Sequence, residues 1–386
     1  MKNVFEKMQE ENAEQKKAFF LQKFHGLSYK GKVAHARAVA REFRDEAYEK
    51  GYNVHVSVGG LDSITLAYFL REDLGFHDVD LISCSGLEDR SIQYVHKLMG
   101  VTRLYPARHT CGPNKGKCWT KQEILQEFGF PVLSKEIAGK ISLLENPSES
   151  NKTVRHAIIT GETGEYGGFQ KNSRMKLSNR WLKIFGGYEN ENEGTHYGKP
   201  ENFLVSDKCC YYLKEKPCDD WAKEHHSVPY LGLMASEGGR RAKSLMMHGC
   251  NYWGESTIRS CPFAIFKRQE LLQLALDLNV PVPEIYGTIE RKPDGTLYTT
   301  KTQRTGCSMC GFGIHLEKRP HRFDQLRESN PKQWDYWMNK CCKDPDGTPY
   351  GWGRVLDYIG VEWGELINAG QISGQMSIYD FIEKPE

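Results

Sequence analysis

The sequence predicts an α/β fold built on a parallel, doubly wound sheet. Residues 54–58 form a short β-branched run, and a Gly-Gly pair connects it to a helical pattern over residues 64–71. Two further strands are predicted at residues 79–83 and 102–106. Strands that alternate with helices at this spacing are typical of parallel βαβ units. The connections that follow such strands lie at one edge of the sheet, where open α/β sheets bind ligands.

Amphipathic helices are predicted around these strands. Between residues 31 and 50, apolar side chains recur at roughly helical spacing among charged ones, and Gly51 suits the end of that helix. Gly129 and Pro131 end a later helix. The predicted helices cover residues 31–50, 64–71, 122–128, 134–144 and 269–278.

Composition divides the chain into five segments. Residues 146–202 are rich in Asn, Ser, Gly and Glu, which predicts a long mobile insertion rather than a second core. Four tryptophans after residue 318 predict that the helical, cysteine-containing C-terminal part packs into the fold. The expected segments are a leader (1–32), a first α/β part (33–145), the insertion (146–202), the rest of the α/β domain (203–317) and a C-terminal packing segment (318–386).

The composition is that of a soluble globular protein with no strong overall field. The chain has 386 residues, 39% hydrophobic and 26% charged, and a net charge of +2. No apolar run is long enough to span a membrane, and residues 1–17 lack the apolar stretch of a secretory signal. We therefore expect a cytoplasmic protein without membrane association. In a reducing compartment, its twelve cysteines favour metal or redox chemistry over disulfides.

The glycine turn after the first strand is the first candidate site. Glycines let a backbone turn tightly and direct successive N–H groups at an anion, while the following helix offers its positive end. Ser57 and Ser63 add hydroxyl donors beside Gly59 and Gly60, and Asp62 supplies a carboxylate for a magnesium ion that bridges phosphates. The alternative is a glycine-rich connection with no ligand. The strand–turn–helix context favours phosphate binding.

The turn resembles the PP-loop of the adenine-nucleotide α-hydrolases, whose pattern is Ser-Gly-Gly-x-Asp-Ser. Gly59, Gly60, Asp62 and Ser63 match this pattern, and Val58 stands where the family has serine. The resemblance implies an adenine-nucleotide α-hydrolase-like sheet that binds ATP or a related adenylate through residues 33–145. Because one hydroxyl contact is lost or moved at Val58, the departure bears on pyrophosphate release more than on nucleotide binding.

Two cysteine segments form the second candidate site. Cys209 and Cys210 are adjacent, and Cys307 and Cys310 lie in a Cys-x-x-Cys turn that points two thiolates at one metal. Four thiolates suit either zinc or a 4Fe–4S cluster. Neighbouring side chains diverge, so an adjacent pair suits the larger cluster better than a single zinc ion.

The same segments resemble the phosphoadenylyl-sulfate (PAPS) reductase family. In that family a Cys-Cys pair is followed by Leu-Lys and a proline, here Pro217, and a distant Cys-x-x-Cys completes the set. Residues 232–241 are similar to a Gly-x-Arg-Ala-x-Glu-Ser-x-x-Arg segment, and Ser134-Lys135 is similar to a segment of its nucleotide site. The resemblance implies that the four cysteines hold a 4Fe–4S cluster. It also implies that Lys135 and Arg241 offset charge on phosphoryl oxygens during catalysis, together with Asp62 and Ser63.

The resemblance leaves three functions open. The reductases of this family attack adenylyl sulfate with a cysteine in a C-terminal Glu-Cys-Gly setting, and this tail has none. The DndC-like branch, which acts in DNA phosphorothioation, combines the loop with a cluster and lacks that tail. We therefore expect adenylation and sulfur transfer onto nucleic acid, with a sulfur donor or acceptor as partner. The alternatives are reduction of adenylyl sulfate or its 3′-phosphorylated form, and a non-catalytic nucleotide-binding regulator.

A basic segment is the candidate for nucleic-acid contact. Its charges are interleaved with Trp181 and Phe185, a combination that tracks nucleic-acid backbones. A solvated basic loop over an anionic nucleotide is the alternative, and an oligomer is compatible with the sequence. The basic residues are Lys171, Arg174, Lys176, Arg180 and Lys183.

Overall fold

The computed structural model describes residues 4–162, 175–190, 194–255 and 257–364. Lys171 and Arg174, two of the basic residues predicted to contact nucleic acid, lie outside these ranges. The strands are β1 Asn53–Ser57, β2 Asp80–Ser83, β3 Thr102–Arg103, β4 Val132–Leu133, β5 Tyr188–Asn190, β6 Thr195–Tyr197, β7 Ser227–Tyr230, β8 Asn251–Trp253, β9 Ile258–Ser260, β10 Ile289–Arg291, β11 Leu297–Thr299, β12 Gly311–Phe312, β13 Cys342–Lys343 and β14 Pro349–Tyr350.

The α-helices are interspersed with these strands along the chain. They are α1 Val4–Gly26, α2 Tyr29–Glu49, α3 Leu61–Tyr68, α4 Arg90–Leu98, α5 Lys121–Phe128, α6 Lys135–Glu145, α7 Lys152–Thr160, α8 Asn179–Phe185, α9 Lys208–Cys210, α10 Lys216–Glu224, α11 Gly239–His248, α12 Arg268–Asp277, α13 Arg322–Ser329, α14 Pro331–Asn339 and α15 Trp352–Ile359. In the described part of the chain, no helix combines the length and apolar character needed to cross a bilayer.

The chain folds into two compact units. The first unit comprises residues 1–107 and 214–308, and the second comprises residues 108–213 and 309–386. The chain therefore crosses from one unit to the other three times, so neither unit is a continuous stretch of sequence.

The first unit contains a six-stranded sheet in the order β3-β2-β1-β7-β9-β8. All neighbours in this sheet are parallel except β8 and β9. The structure thus confirms the predicted α/β class with a largely parallel central sheet. Because β2 and β7 flank β1 on opposite sides, the connections that leave β1 and β7 diverge at the carboxyl edge of the sheet.

The predicted strands and helices of this unit lie close to their observed positions. The first two strands begin or end within one residue of the expected positions, and the helix over residues 31–50 is α2, which Ser28 caps by accepting the Gly31 N–H. Strand β3 is shorter than predicted. After Leu104 donates its N–H to the carbonyl of Ser83, Pro106 has no N–H to continue the ladder.

The core of the first unit packs helices against the sheet. Strands β1 and β2 contribute Val54, Val56 and Leu81, all nearly inaccessible to solvent. Helix α2 contributes Phe43, which packs edge-on against Tyr230 of β7. Each large aliphatic or aromatic side chain that is fully buried in this way stabilises the folded state by about 1.5–3 kcal/mol.

The second unit has its own aromatic core. Phe130 and Phe323 pack against Trp352 with ring centroids 5.0 and 5.3 Å apart, and both phenylalanines are buried. Within residues 146–202, the described part forms α7, α8 and the β5–β6 hairpin, and Leu182 and Phe185 join this core. The tryptophan of the C-terminal segment that is most buried, Trp352, therefore does pack into the fold.

Candidate functional site

The glycine turn closes on itself through Ser63. The Gly59 N–H donates to Ser63 Oγ at 2.7 Å, and Ser63 Oγ donates to the Gly60 carbonyl at 3.0 Å. The turn follows β1 directly and leads into α3, as predicted. The Ser63 hydroxyl therefore accepts a hydrogen bond from the Gly59 N–H, which is the donor that an anion in this turn would use. The Ser63 hydroxyl must rotate away before the Gly59 N–H can bind an anion.

The two glycines of the turn have different surroundings. A Cβ at position 60 would lie 2.3 Å from the Tyr286 hydroxyl and 3.0 Å from Thr305 Oγ1, so only glycine fits there. Tyr286 Oη accepts the Leu61 N–H at 3.1 Å, which fixes the start of α3. A Cβ at position 59 would meet only Ser63 Oγ at 3.8 Å. The backbone at Gly59 is thus open to a ligand, whereas Tyr286 and Thr305 cover the backbone at Gly60.

His96 supports the turn from α4. Its Nε2 lies 2.8 Å from the Gly59 carbonyl, and its side chain is buried. Burial lowers the pKa of His96, so the neutral ring donates its Nε2 proton to that carbonyl. The sequence analysis missed this residue, because a lone histidine on a predicted helix carries no signal of its own.

Asp62 forms an ion pair with Arg268, the first residue of α12. Burial raises the pKa of Asp62, and the Arg268 guanidinium opposes that rise. Arg268 also donates to the Gln303 carbonyl at 3.1 Å. The Asp62 carboxylate, which is the predicted magnesium ligand, is therefore paired with the Arg268 guanidinium in the structure.

A second charged cluster lies in the same unit, around Glu237. The Glu237 carboxylate is nearly buried and accepts from Arg241 Nη1 at 2.6 Å, while Arg304 Nη2 lies 3.7 Å from it. Arg241, predicted to be catalytic, is more than half exposed and lies one helical turn beyond its partner. The charge of Glu237 also acts on Asp62. Together the two carboxylates and three guanidinium groups leave a net charge of +1 near the turn.

Gly232 brings the loop after β7 against the start of α3. A Cβ at position 232 would lie 3.1 Å from the Asp62 carbonyl oxygen and 3.2 Å from Ser63 Cα. The turn after β1 and the loop after β7 are therefore neighbours at the carboxyl edge of the sheet. In open α/β sheets, this point of diverging connections is where ligands bind.

The remaining predicted residues of the nucleotide site have other surroundings. Ser57 ends β1, and its side chain hydrogen-bonds the Cys218 thiol. Lys135 is the first residue of α6 in the second unit, directly after the N-cap Ser134, whose Oγ accepts the Ile137 N–H at 3.1 Å. Its role toward a nucleotide stays a prediction.

The cysteines of the predicted cluster lie on two short segments. Cys209 is buried and Cys210 is half-buried in α9, and Cys310 directly precedes β12. Helix α5 is a common neighbour, because it packs against α9 and its Lys121 Nζ donates to the Met309 carbonyl at 2.7 Å.

The Cys-x-x-Cys turn is tight. Met309 adopts a left-handed φ of +54°, which is uncommon for a residue with a side chain. The Ser308 N–H donates to the Leu87 carbonyl at 3.2 Å. Cys307 hydrogen-bonds the Lys214 ammonium group, which also pairs with Glu88.

The surroundings of these cysteines bear on whether they can hold a metal or a cluster. Over the residues described, no group of three or more His, Cys, Asp or Glu side chains is arranged to hold a metal ion. The Lys214 ammonium group is hydrogen-bonded to Cys307, and an ammonium group beside a thiol favours the thiolate form that a cluster ligand needs. The donor type suits iron and sulfide, so Cys209, Cys210, Cys307 and Cys310 stay predicted cluster ligands.

The described part of the basic segment packs through its aromatic residues. Trp181 and Phe185 are buried in the second unit, and the Arg180 guanidinium lies over the Trp181 ring at 4.5 Å. The two aromatic rings are thus core side chains and do not form an exposed stacking surface for bases. Contact with nucleic acid would therefore rest on the charges of Lys176, Arg180 and Lys183.

No protein-family model matches the sequence, and a search of curated proteins finds no significant match.

Proposed function

We propose that the protein is a cytoplasmic PP-loop enzyme of adenine-nucleotide α-hydrolase type, which binds ATP or a related adenylate in its first unit. The observation that carries this proposal is the turn at Gly59 and Gly60, which lies at the carboxyl edge of the sheet where connections diverge. An open glycine backbone at the start of a helix is suited to phosphate oxygens.

The charges around the turn support a triphosphate ligand. Arg268, Arg241 and Arg304 are each paired with a carboxylate in the structure, and all three are at least partly accessible. A phosphate group competes well for a guanidinium, because it accepts bidentate hydrogen bonds as a carboxylate does and the triphosphate carries more negative charge. Nucleotide binding would thus draw arginines from Asp62 and Glu237 to the phosphates.

Release of Asp62 from Arg268 would allow a carboxylate to hold magnesium. Magnesium in nucleotide sites is bound by one or two carboxylates and by the phosphates themselves, and it neutralises charge on the phosphate oxygens. Asp62 and Glu237 are the carboxylates in place for this role.

The reaction we propose is adenylation that prepares an acceptor for sulfur transfer, with nucleic acid as the acceptor. An acceptor oxygen attacks the α-phosphorus of ATP, the bond to the β-phosphate oxygen breaks, and pyrophosphate leaves. Arg241 and Arg268 offset the negative charge that develops on the phosphoryl oxygens. Sulfide from the donor then attacks the acceptor atom that carries the adenylated oxygen, the bond between that atom and the oxygen breaks, and adenylate leaves with the oxygen.

The iron–sulfur cluster remains a separate proposal, and none of these steps runs through it. Its support is the chemistry of Cys209, Cys210, Cys307 and Cys310 and the shared contact of α5 with the two segments.

The test is pyrophosphate release from ATP by anaerobically purified protein, with and without nucleic acid and a sulfide donor. We expect release that depends on the acceptor and is lost in Gly59→Ala. Sulfite production from adenylyl sulfate with a thiol donor would instead identify a reductase. Nucleotide binding without any turnover would identify a regulator.

A further inference from the structure

Two cysteines that belong to no predicted site meet at the carboxyl edge of the sheet in the first unit. Ser57 of β1 and Ile82 of β2 are register partners, so their side chains lie on the same face. Cys84 is two residues beyond Ile82 and continues that face. Its thiol is buried and lies 3.9 Å from the Lys214 carbonyl oxygen.

Cys218 reaches the same place from α10. This helix packs against β7, the neighbour of β1, and Cys218 lies one helical turn after Lys214. Its thiol hydrogen-bonds both the Cys84 thiol and the Ser57 hydroxyl. Cys218 is half-buried, whereas Cys84 is only 6% exposed.

We propose that Cys84 and Cys218 form a redox-active dithiol that exchanges with low-molecular-weight disulfides. This inference goes beyond the nucleotide site and does not depend on it. Both thiols lie within hydrogen-bond reach of each other, and an ammonium group, Lys214, is nearby.

Exposure divides the roles between the two thiols, because Cys218 is partly accessible and Cys84 is buried. The hydrogen bond from Cys84 lowers the pKa of Cys218, and Ser57 and Lys214 act in the same direction. The same bond raises the pKa of Cys84. A partly accessible thiolate next to a buried thiol is the arrangement of an attacking and a resolving cysteine.

The exchange balances in two steps. The Cys218 thiolate attacks one sulfur of a small disulfide, the disulfide bond breaks, and one small thiolate leaves and takes up a proton. The Cys84 thiol then loses its proton and attacks Cys218 Sγ, so the second small thiol leaves. One small disulfide is reduced to two thiols, and Cys84 and Cys218 are oxidised to a disulfide.

Other cysteines of the first unit serve as controls. Burial raises the pKa of Cys250 to about 11 and that of Cys261 to about 12. Neither thiol is hydrogen-bonded to another thiol among the described residues. Cys250→Ser should therefore leave the exchange unchanged.

The test uses the full chain, reduced, desalted and incubated with oxidised glutathione. We expect a loss of two thiols, with a non-reducing peptide map that joins the Cys84 peptide to the Cys218 peptide. Before oxidation, iodoacetamide should alkylate Cys218 at least about tenfold faster than Cys250 at neutral pH.

Two variants separate the roles. Cys84→Ser should retain glutathione on Cys218, because no thiol resolves the mixed disulfide, and Cys218→Ser should leave Cys84 unmodified. A cross-link between other cysteines, for example Cys341 and Cys342, would overturn the proposal. So would unreacted thiols at 84 and 218 in the wild-type chain, or iron or zinc that both variants lose. ATP binding by the same samples reports separately on the nucleotide site.

Discussion

Asp62 and Arg268 form an ion pair across 206 residues of sequence. The pair joins the first turn of α3 to the start of α12, and it occupies the carboxylate that the PP-loop resemblance assigns to magnesium. The structure thus connects the glycine turn to a cation that no local motif contains.

The first prediction concerns this pair. Asp62→Asn should weaken binding of ATP in the presence of magnesium by about tenfold, and binding without magnesium much less, because only the magnesium complex uses the carboxylate. Arg268→Gln should weaken both, because it removes a phosphate partner. Titration of each variant with ATP, with magnesium or with a chelator, distinguishes these outcomes. Equal losses in both conditions for Asp62→Asn would refute its role as a magnesium ligand.

Local patterns in the sequence predicted the turn but not its partners. The β-branched run, the glycines and the helical pattern after them determine β1, the turn and α3 within a short stretch of chain. Arg268, Tyr286 and His96 contact the turn from elsewhere in the sequence, and nothing in their local sequence indicates which backbone atom they approach. Cys84 directly follows a predicted strand, and this position alone indicates a side chain at the carboxyl edge of the sheet.

The two units also lie beyond what composition can predict. The chain passes between them near residues 107, 213 and 308, and no change in composition marks these points. Residues 146–202 are polar on average, but they include apolar side chains such as Leu182 and Phe185, which lie on the same face of α8 and join the second core.

The second prediction concerns packing around Gly60. Gly60→Ala should lower the free energy of unfolding by about 1–3 kcal/mol, because the new Cβ would overlap the Tyr286 hydroxyl. Combining it with Tyr286→Phe should recover part of the loss, since the ring carbon is 3.6 Å from that Cβ. Urea unfolding of both variants and of Tyr286→Phe alone measures the recovery. No recovery in the double variant would show that another contact makes glycine necessary.

The third prediction concerns Glu145 at the end of α6. Burial raises its pKa to about 8, and its Oε2 accepts the Val205 N–H at 2.9 Å while Oε1 has no partner among the described residues. The folded state binds the extra proton between the ordinary glutamate pKa and about 8. The free energy of unfolding should therefore fall as pH rises through this window.

Glu145→Gln should remove this dependence. The variant should be more stable than the wild type by about 1–3 kcal/mol near pH 9, and the difference should shrink toward about pH 4. Denaturant unfolding across this pH range is the measurement, with the exposed Glu149→Gln as the matched control. A wild-type stability that rises with pH relative to Glu145→Gln would contradict the sign of this argument.

The fourth prediction concerns the proposed cluster. Protein purified without oxygen should contain iron and acid-labile sulfide, and Cys307→Ser and Cys310→Ser should both lose them. Cys250→Ser is the control, because Cys250 is not among the predicted ligands and packs against the core of the first unit. Iron content that is unchanged in the Cys307 and Cys310 variants would show that other residues are the ligands.

The central claim is that the open backbone at Gly59 receives the phosphates of an adenine nucleotide. Gly59→Ala adds a methyl group that meets only Ser63 Oγ at 3.8 Å, so the fold should keep its stability. The most direct measurement is calorimetric titration of wild-type and Gly59→Ala protein with ATP and magnesium. We expect wild-type binding and at least about a tenfold, ~1.4 kcal/mol, loss in the variant. Equal affinity of the two proteins, or no binding by the wild type, would contradict the claim.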